Sequence, residues 1–503
     1  MAVTAKVSIP ANRCLVGTFI VVALMAAEIL CGAAVAVFAD QPYVILISVI
    51  GLIAGVVTFI EPVQGLYLFV AAMFTEGLLD VGTGTTGTKL LGVLVFGAWV
   101  AHSLVTDKCF RIVLPVQSWF AIGFVVWGGM SALWALDAQP VLSEMSTLIQ
   151  LIGLYILVVD LVNSPEKIQN VLSVIIIVSL VLALLATFRL FSGELVAGRV
   201  DTREITGDDP NFLAAYLLPG AALLMARFGR EVQLRKKLFL LLALLITVTG
   251  ILATSSRGAV VALVLALSFG LMLDRRMWQV MLPALLVAGV VPFFLPSISL
   301  ERIESIGTLS DRGAGRLDIW LVGWRIFCAN PLLGVGLGNF GVAFGRYLFD
   351  TIGVAPQFPL VSHSPHSIFL GVLSSLGVIG FVLFVAVVGL SVKDGLVAVL
   401  RLKQKQDSHL MTLAIGVYLG LLGTLIAGLF IDLDRRKYFW LLLALTEVVR
   451  RVSLASVTSE SGSATDPSAC VRQPTGCVRR ITNGPPSGPP VGGQGWWSTP
   501  SCR

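Results

Sequence analysis

The chain has 503 residues, 56% apolar and 13% charged, with a formal net charge of +6. Soluble globular domains carry about 25% charged residues, so this composition excludes a soluble enzyme as a description of most of the chain. The surplus of Lys and Arg sits beside apolar runs, where it marks membrane topology and gives no sign of a nucleic-acid partner.

Runs of roughly 18 or more apolar residues recur from residue 14 to residue 449. Backbone groups in lipid must be bonded within the segment, so these runs are helices. The expected fold is all-α: a polytopic integral membrane protein with about 11–14 transmembrane helices and one long outward-facing helical loop. Residues 1–14 read as a cytoplasmic N-terminus. The first run, 15–38, is too long for a signal-peptide core and is followed at once by another, so it reads as an anchor. Spans are expected at 15–38, 42–60, 63–79, 90–105, 112–134, 145–163, 168–190, 211–227, 237–254, 258–273, 277–295, 367–392, 410–430 and 438–449; the third, fourth and last are short or polar. The organisation is therefore a transmembrane region at 15–295, a large periplasmic or extracellular loop at 296–366, C-terminal transmembrane helices at 367–451, and a tail at 452–503. That tail is rich in Ser, Pro, Gly and Thr and is expected to be disordered and cytoplasmic.

Charge placement orients the spans. Lys6 and Arg13, Lys108 and Arg111, Arg227 to Lys237, Arg275 and Arg276, and Lys393 to Lys405 all fall on the side of the N-terminus. The positive-inside rule makes that side cytoplasmic. Arg257 and the loop 296–366 then face outward, as does Asp432-Leu433-Asp434-Arg435-Arg436-Lys437, which runs against the rule. The seven cysteines show no metal spacing and no disulfide framework.

A loop of about 70 residues is far longer than a usual connection and is a candidate functional element. Trp320, Trp324, Phe327, Phe340, Phe344 and Tyr347 recur at near-helical spacings, which predicts short amphipathic helices lying on the membrane. A passive packed cap is the alternative.

The residues suited to chemistry cluster around this loop. His366 lies where the loop enters an apolar helix, and an imidazole moves protons near neutral pH. His363, three residues earlier, is an alternative base, whereas His102 and His409 sit at cytoplasmic span ends. Arg257, in Thr254-Ser255-Ser256-Arg257-Gly258-Ala259, sits at the outer mouth between two apolar helices. It is either a functional cation or one that snorkels to headgroups; Ser255 is a candidate cap for the helix that follows. Arg316, four residues before Trp320, is the second candidate ligand for a diphosphate, which guanidinium groups hold through paired hydrogen bonds. Asp209 and Pro210 read as the cap and first turn of a helix. The outer segment with Glu194, Arg199, Asp201, Arg203 and Glu204 is able to face an acceptor sugar. Asp432 and Asp434 form an Asp-x-Asp pair, read either as a metal site or as carboxylates neutralised by the adjacent Arg435, Arg436 and Lys437. Glu28 and Glu76 lie in apolar stretches and would be relay candidates in a transporter.

Taken together, these segments resemble the O-antigen ligase and polymerase superfamily, the Wzy/WaaL type of polytopic membrane glycosyltransferase. The resemblance covers the order of elements from about Asp208 to Leu443: Asp209-Pro210-Asn211 opening a span, Ser255-Ser256-Arg257-Gly258, Gly315-Arg316 followed by Trp320, Asn330-Pro331-Leu332-Leu333-Gly334-Val335-Gly336, and the stretch from His366 to Gly380. Ser367 and Ser375 stand where the family pattern has Asn and Glu. The resemblance implies transfer of a glycan from a polyprenyl (undecaprenyl) diphosphate carrier to an acceptor hydroxyl by an inverting, metal-independent glycosyltransferase. The partners implied are that donor, a lipid, protein or polysaccharide acceptor, and membrane lipids; no cofactor or nucleic acid is expected. The location implied is the bacterial inner membrane, with the active site facing outward. His366, Arg257 and Arg316 are the expected catalytic residues. Arg257, Arg316, His363, Asp209, Asn211, Trp320 and Asn339 are the expected substrate contacts. A polymerase that extends a chain on its lipid carrier, and a flippase for the same lipid, are the alternatives.

Overall fold

The computed structural model describes residues 51, 53–79, 87–106, 112–196, 199–280, 315–352 and 363–463. The expected spans at 15–38 and, nearly entirely, 277–295 lie outside the described residues, as do most of 42–60 and residues 464–503 of the tail. Residues Met1–Ser456 form one compact unit and Val457–Arg503 a second, of which the described part is helical.

The protein is an all-α polytopic membrane protein. Its main helices are α1 (Pro62–Ala72), α2 (Gly87–Thr106), α3 (Val116–Met130), α4 (Ala138–Leu161), α5 (Pro165–Phe191), α6 (Pro210–Phe228), α7 (Leu234–Ala253), α8 (Arg257–Leu273), α9 (Arg316–Ala329), α10 (Phe340–Ile352), α11 (Ile368–Lys405), α12 (Ser408–Ala427) and α13 (Lys437–Ser463). A two-residue hairpin, Leu195–Val196 against Arg199–Val200, joins α5 to α6. Among the described residues eight helices are long and apolar enough to cross a membrane: α2 to α7, α11 and α12. α1 and α8 are shorter apolar helices. α13 runs to Ser463, beyond the expected end at 449, and its Glu447 and Arg450 form an ion cluster with Asp394 of α11.

α6 and α12 form the centre of the bundle. Their most apolar windows are 83% and 78% buried, against 28% and 33% for α2 and α7, so the first pair is enclosed by protein and the second faces lipid. α6 packs on α12, α5, α7 and α8, and α11 packs on α3 and α12. Gly416 and Gly420 of α12 lie against Leu223 and Pro219 of α6, where small residues let two backbones come close.

α11 is broken at Gly377, whose φ of 65° is left-handed. The loop between α9 and α10 docks into that break. Val335 N–H donates to Ser374 O (3.1 Å), Gly336 N–H to Ser375 O (2.8 Å), and Val378 N–H to Pro331 O (2.8 Å), while Trp127 Nε1 donates to Leu376 O (3.0 Å). Groups freed by the break are thus satisfied by protein, the condition under which a broken helix persists in a bilayer. A Cβ at Gly377 would overlap Leu332 O, and one at Gly334, also left-handed, would overlap Ser375 O. The segment from Asn330 to Gly336 is therefore a clamp that seats α9 on α11. Ile319, Val322 and Ile326 of α9 close with Val335, Phe340 and Phe344 into a small core. The aromatic spacing in the loop does give helices, but α9 is a packed layer on α11 as well as an amphipathic surface, with Trp324 on its exposed face.

Candidate active site

The start of α11 has no side-chain cap of its own, since Ser367 at the N-cap makes no such bond. Its first N–H groups are taken by the loop between α12 and α13. Asp432 accepts His366 N–H at 3.2 Å through Oδ2 and Ser367 N–H at 3.1 Å through Oδ1, and Gly428 O accepts Ile368 N–H at 2.8 Å. His366 itself is left-handed, with φ 47°, a conformation that costs a non-glycine residue about 1–2 kcal/mol. The paired bonds to Asp432 hold it there.

The charged cluster from Asp432 to Lys437 is therefore at the same end of the bundle as His366. Its basic residues reach across to other helices. Arg435 pairs with Glu144 of α4 and, at 3.4 Å, with Asp434. Arg436 makes a bidentate pair with Asp208, at 2.7 and 2.9 Å, and stacks over Phe212. Lys437 Nζ lies 2.5 Å from Glu76 Oε1. The expected local neutralisation of the Asp-x-Asp pair thus occurs only at Asp434; Asp432 binds backbone N–H groups instead. Glu76, a relay candidate from sequence, is an ion-pair partner. Among the described residues no group of three or more His, Cys, Asp and Glu side chains is disposed to hold a metal.

Arg257 and Arg316 occupy equivalent places: each is the first residue of a helix, α8 and α9, and neither helix has a side-chain cap. Ser256, and not Ser255, occupies the N-cap position of α8. Ser255 is left-handed (φ 53°), and its buried Oγ has no hydrogen-bond partner among the described residues. An uncapped helix N-terminus presents several N–H donors and a partial positive charge, which is an anion site. The two are close enough to interact. The Arg316 guanidinium is pushed below its ordinary pKa chiefly by burial, with Asp209 raising it, Arg257 lowering it and Asp432 raising it.

His366 belongs to the same group. Burial is the main force lowering its pKa, opposed by Asp432, helped by Arg316, opposed by Asp209 and helped by His363. The net effect keeps the imidazole neutral near pH 7, which is the form that accepts a proton. Ser364 Oγ lies 3.4 Å from Nδ1. Two cavities flank this corner. One, of about 230 Å³, is lined by His363, Ser364, Ser375 and Arg435. The other, of about 440 Å³, is lined by Ser364, Asp432, Glu144, Gln150 and Lys89.

The remaining sequence candidates fall into two sets. Asp209 caps α6, accepting Asn211 N–H at 2.6 Å, and stands in the field of both Arg316 and His366. Trp320 stacks on Phe430, 6.3 Å between ring centroids, and its buried Nε1–H has no acceptor among the described residues. His363 packs edge-on against Phe344 at 5.0 Å. Asn211 and Asn339 are tied into the scaffold. Asn211 Oδ1 accepts Arg199 Nη2 at 2.8 Å, and Arg199 also reaches Thr254 O. Asn339 is fully buried and bonded to the backbone of Asp137 and Leu337. Sequence reasoning missed Asp432 as the anchor of His366; no local signal marks a carboxylate that serves N–H groups 66 residues away.

No match to a curated protein was found. Residues 242–385 match the family model of the O-antigen ligase, a segment that holds Arg257, Arg316, His363 and His366. That match, on a chain of apolar spanning helices, supports membership of the O-antigen ligase and polymerase superfamily.

Proposed function

We propose that the protein transfers a glycan from a polyprenyl diphosphate carrier to an acceptor hydroxyl at the outer face of a bacterial inner membrane. The observation that carries this reading is the placement of two arginines at helix N-termini without a side-chain cap, within each other's field and beside a half-buried histidine whose pKa burial lowers. Two guanidinium groups with two helix ends match the charge and oxygen count of a diphosphate. Arg257 and Arg316 bind it and stabilise the negative charge that grows on it as the glycosidic C–O bond breaks. The acceptor oxygen attacks the anomeric carbon from the opposite face, which inverts it. His366 takes the hydroxyl proton, and polyprenyl diphosphate departs with the bonding electron pair. The chemistry needs no metal or nucleotide sugar. Trp320 Nε1–H and the polar cavity beside Asp432 are the places for donor and acceptor groups.

The test is transfer in liposomes holding the purified protein, a labelled polyprenyl-diphosphate oligosaccharide and a panel of acceptor lipids, compared with His366→Ala. Histidine-dependent transfer of one block to a new acceptor supports a ligase. A ladder on the polyprenyl carrier makes the protein a polymerase. Labelled lipid that crosses the bilayer without transfer makes it a flippase and overturns the catalytic reading.

A further inference from the structure

At the opposite end of the bundle, where α6 ends and α7 and α12 begin, lies a cavity of about 800 Å³. Arg227, Arg230, Arg235 and Lys236 line it, and Glu231 is its only acid among the described residues. The acid is already engaged: Glu231 Oε1 accepts Val232 N–H and Gln233 N–H at 3.0 and 2.9 Å. Arg230 is spoken for as well, 2.7 Å from Asp274, and its buried Nε has no acceptor. Arg227 bonds Ser173 Oγ at 3.3 Å. Arg227, Arg235 and Lys236 pair with no carboxylate among the described residues, so the cavity holds uncompensated positive charge.

The first turn of α7 adds to the imbalance. It carries Arg235, Lys236 and Lys237 and no acidic residue. Cations at a helix N-terminus face the positive end of the dipole, an arrangement that an anion relieves. The cavity is also lined by apolar side chains of α7, Phe239 and Leu240. Leu234, Leu238 and Leu242, one turn apart along α7, are all exposed. A ligand that suits this place has an anionic head for the cavity and an apolar chain for the face of α7.

We infer that the cavity binds the phosphate headgroup of an anionic phospholipid, with an acyl chain against Phe239 and the exposed apolar face of α7. Basic pockets between spanning helices on the cytoplasmic side are recognised places for such headgroups, and the positive-inside rule puts this end there. The inference is independent of the chemistry proposed at His366. It gives the bundle a lipid anchor distant from its reaction site.

The test uses the full-length protein in neutral detergent, titrated with short-chain phosphatidylglycerol, short-chain phosphatidylcholine and inorganic phosphate. Tm and lipid adducts in native mass spectrometry are the readouts. The variant is Arg235→Gln with Lys236→Gln, two exposed side chains outside the packed core. Phosphatidylglycerol is expected to raise Tm and bind as a discrete adduct, and the double variant to bind it roughly thirtyfold more weakly. Equal stabilisation by inorganic phosphate would make this a free-phosphate site and overturn the lipid assignment. Equal binding of phosphatidylcholine, or unchanged binding by the double variant, would overturn it too.

Discussion

Asp432 holds His366 by the main chain: its two carboxylate oxygens accept the N–H groups of His366 and Ser367, at 3.2 and 3.1 Å. The same carboxylate raises the His366 pKa against the dominant lowering by burial, whereas Arg316 lowers it. The two neighbours therefore act on the proton acceptor with opposite signs, and pH profiles separate them. If His366 must be neutral to accept a proton, the acid limb of the transfer rate follows its pKa. Asp432→Asn removes a negative charge, so the limb moves to lower pH. Arg316→Gln removes a positive charge, so the limb moves to higher pH. His366→Ala is expected to lower the rate at least ~100-fold and to abolish the limb. Rates measured in liposomes between about pH 5 and 8 check all three; a limb that shifts the same way in both charge variants would remove His366 as the titrating group.

Arg257 and Arg316 are assigned to the diphosphate, so their loss is felt in donor binding. Each single change to Gln is expected to weaken binding of a polyprenyl diphosphate by roughly 10–100-fold, the value of a charge-assisted hydrogen bond. Isothermal titration with the lipid in detergent measures this. Undiminished affinity in the double variant would end the assignment.

Trp320→Phe keeps a ring to stack on Phe430 and deletes only the buried Nε1–H, which has no protein acceptor among the described residues. Protein stability should be unchanged or slightly improved. KM for the donor is expected to rise about fivefold, one neutral hydrogen bond, with kcat little altered. A drop in Tm with unchanged KM would make the indole a packing group alone.

Gly377→Ala tests the clamp. A methyl group there meets Leu332 O in a left-handed backbone, and the break in α11 cannot close without expelling the loop that carries α9. The expected cost is at least ~2 kcal/mol, seen as a lower Tm in detergent. Transfer activity should fall with it, because α9 carries Arg316.

Asp208 and Arg436 are 228 residues apart and joined by two hydrogen bonds, with Tyr216 Oη also donating to Asp208. Removing either partner leaves a partly buried charge alone, at a cost of about 3 kcal/mol. The double change Asp208→Asn with Arg436→Met is expected to cost less than the sum of Asp208→Asn and Arg436→Met made singly. Thermal unfolding of the three variants gives the coupling directly.

Much of the architecture was legible without coordinates. The span positions from α2 to α7, and the start of α11 and α12, follow from apolar run length, because each run partitions into lipid on its own account. The cap of α6 at Asp209, with Pro210 in its first turn, was equally local. Arg257, Arg316 and His366 each stand out in sequence as a residue type at a helix mouth; in the fold Arg316 lies in the field of Arg257, and His366 in that of Arg316. Asn211 and Asn339 are bonded to Arg199 and to the backbone of Asp137 and Leu337, partners that no local pattern announces. A polar side chain beside a motif looks alike in sequence whether it faces a substrate or ties two loops together.

By itself, then, the sequence determined what depends on neighbours along the chain: which segments are long and apolar enough to span a membrane, and which helix ends carry a cation or an imidazole. The tertiary structure alone decided that Asp432 serves His366 and that Arg436 serves Asp208. It alone decided that the Asn330–Gly336 loop fills a break at Gly377. Those choices are made by buried polar groups that must find partners somewhere in a low-dielectric interior. The partners lie tens to hundreds of residues away, at distances where residue order has no say and only packing does.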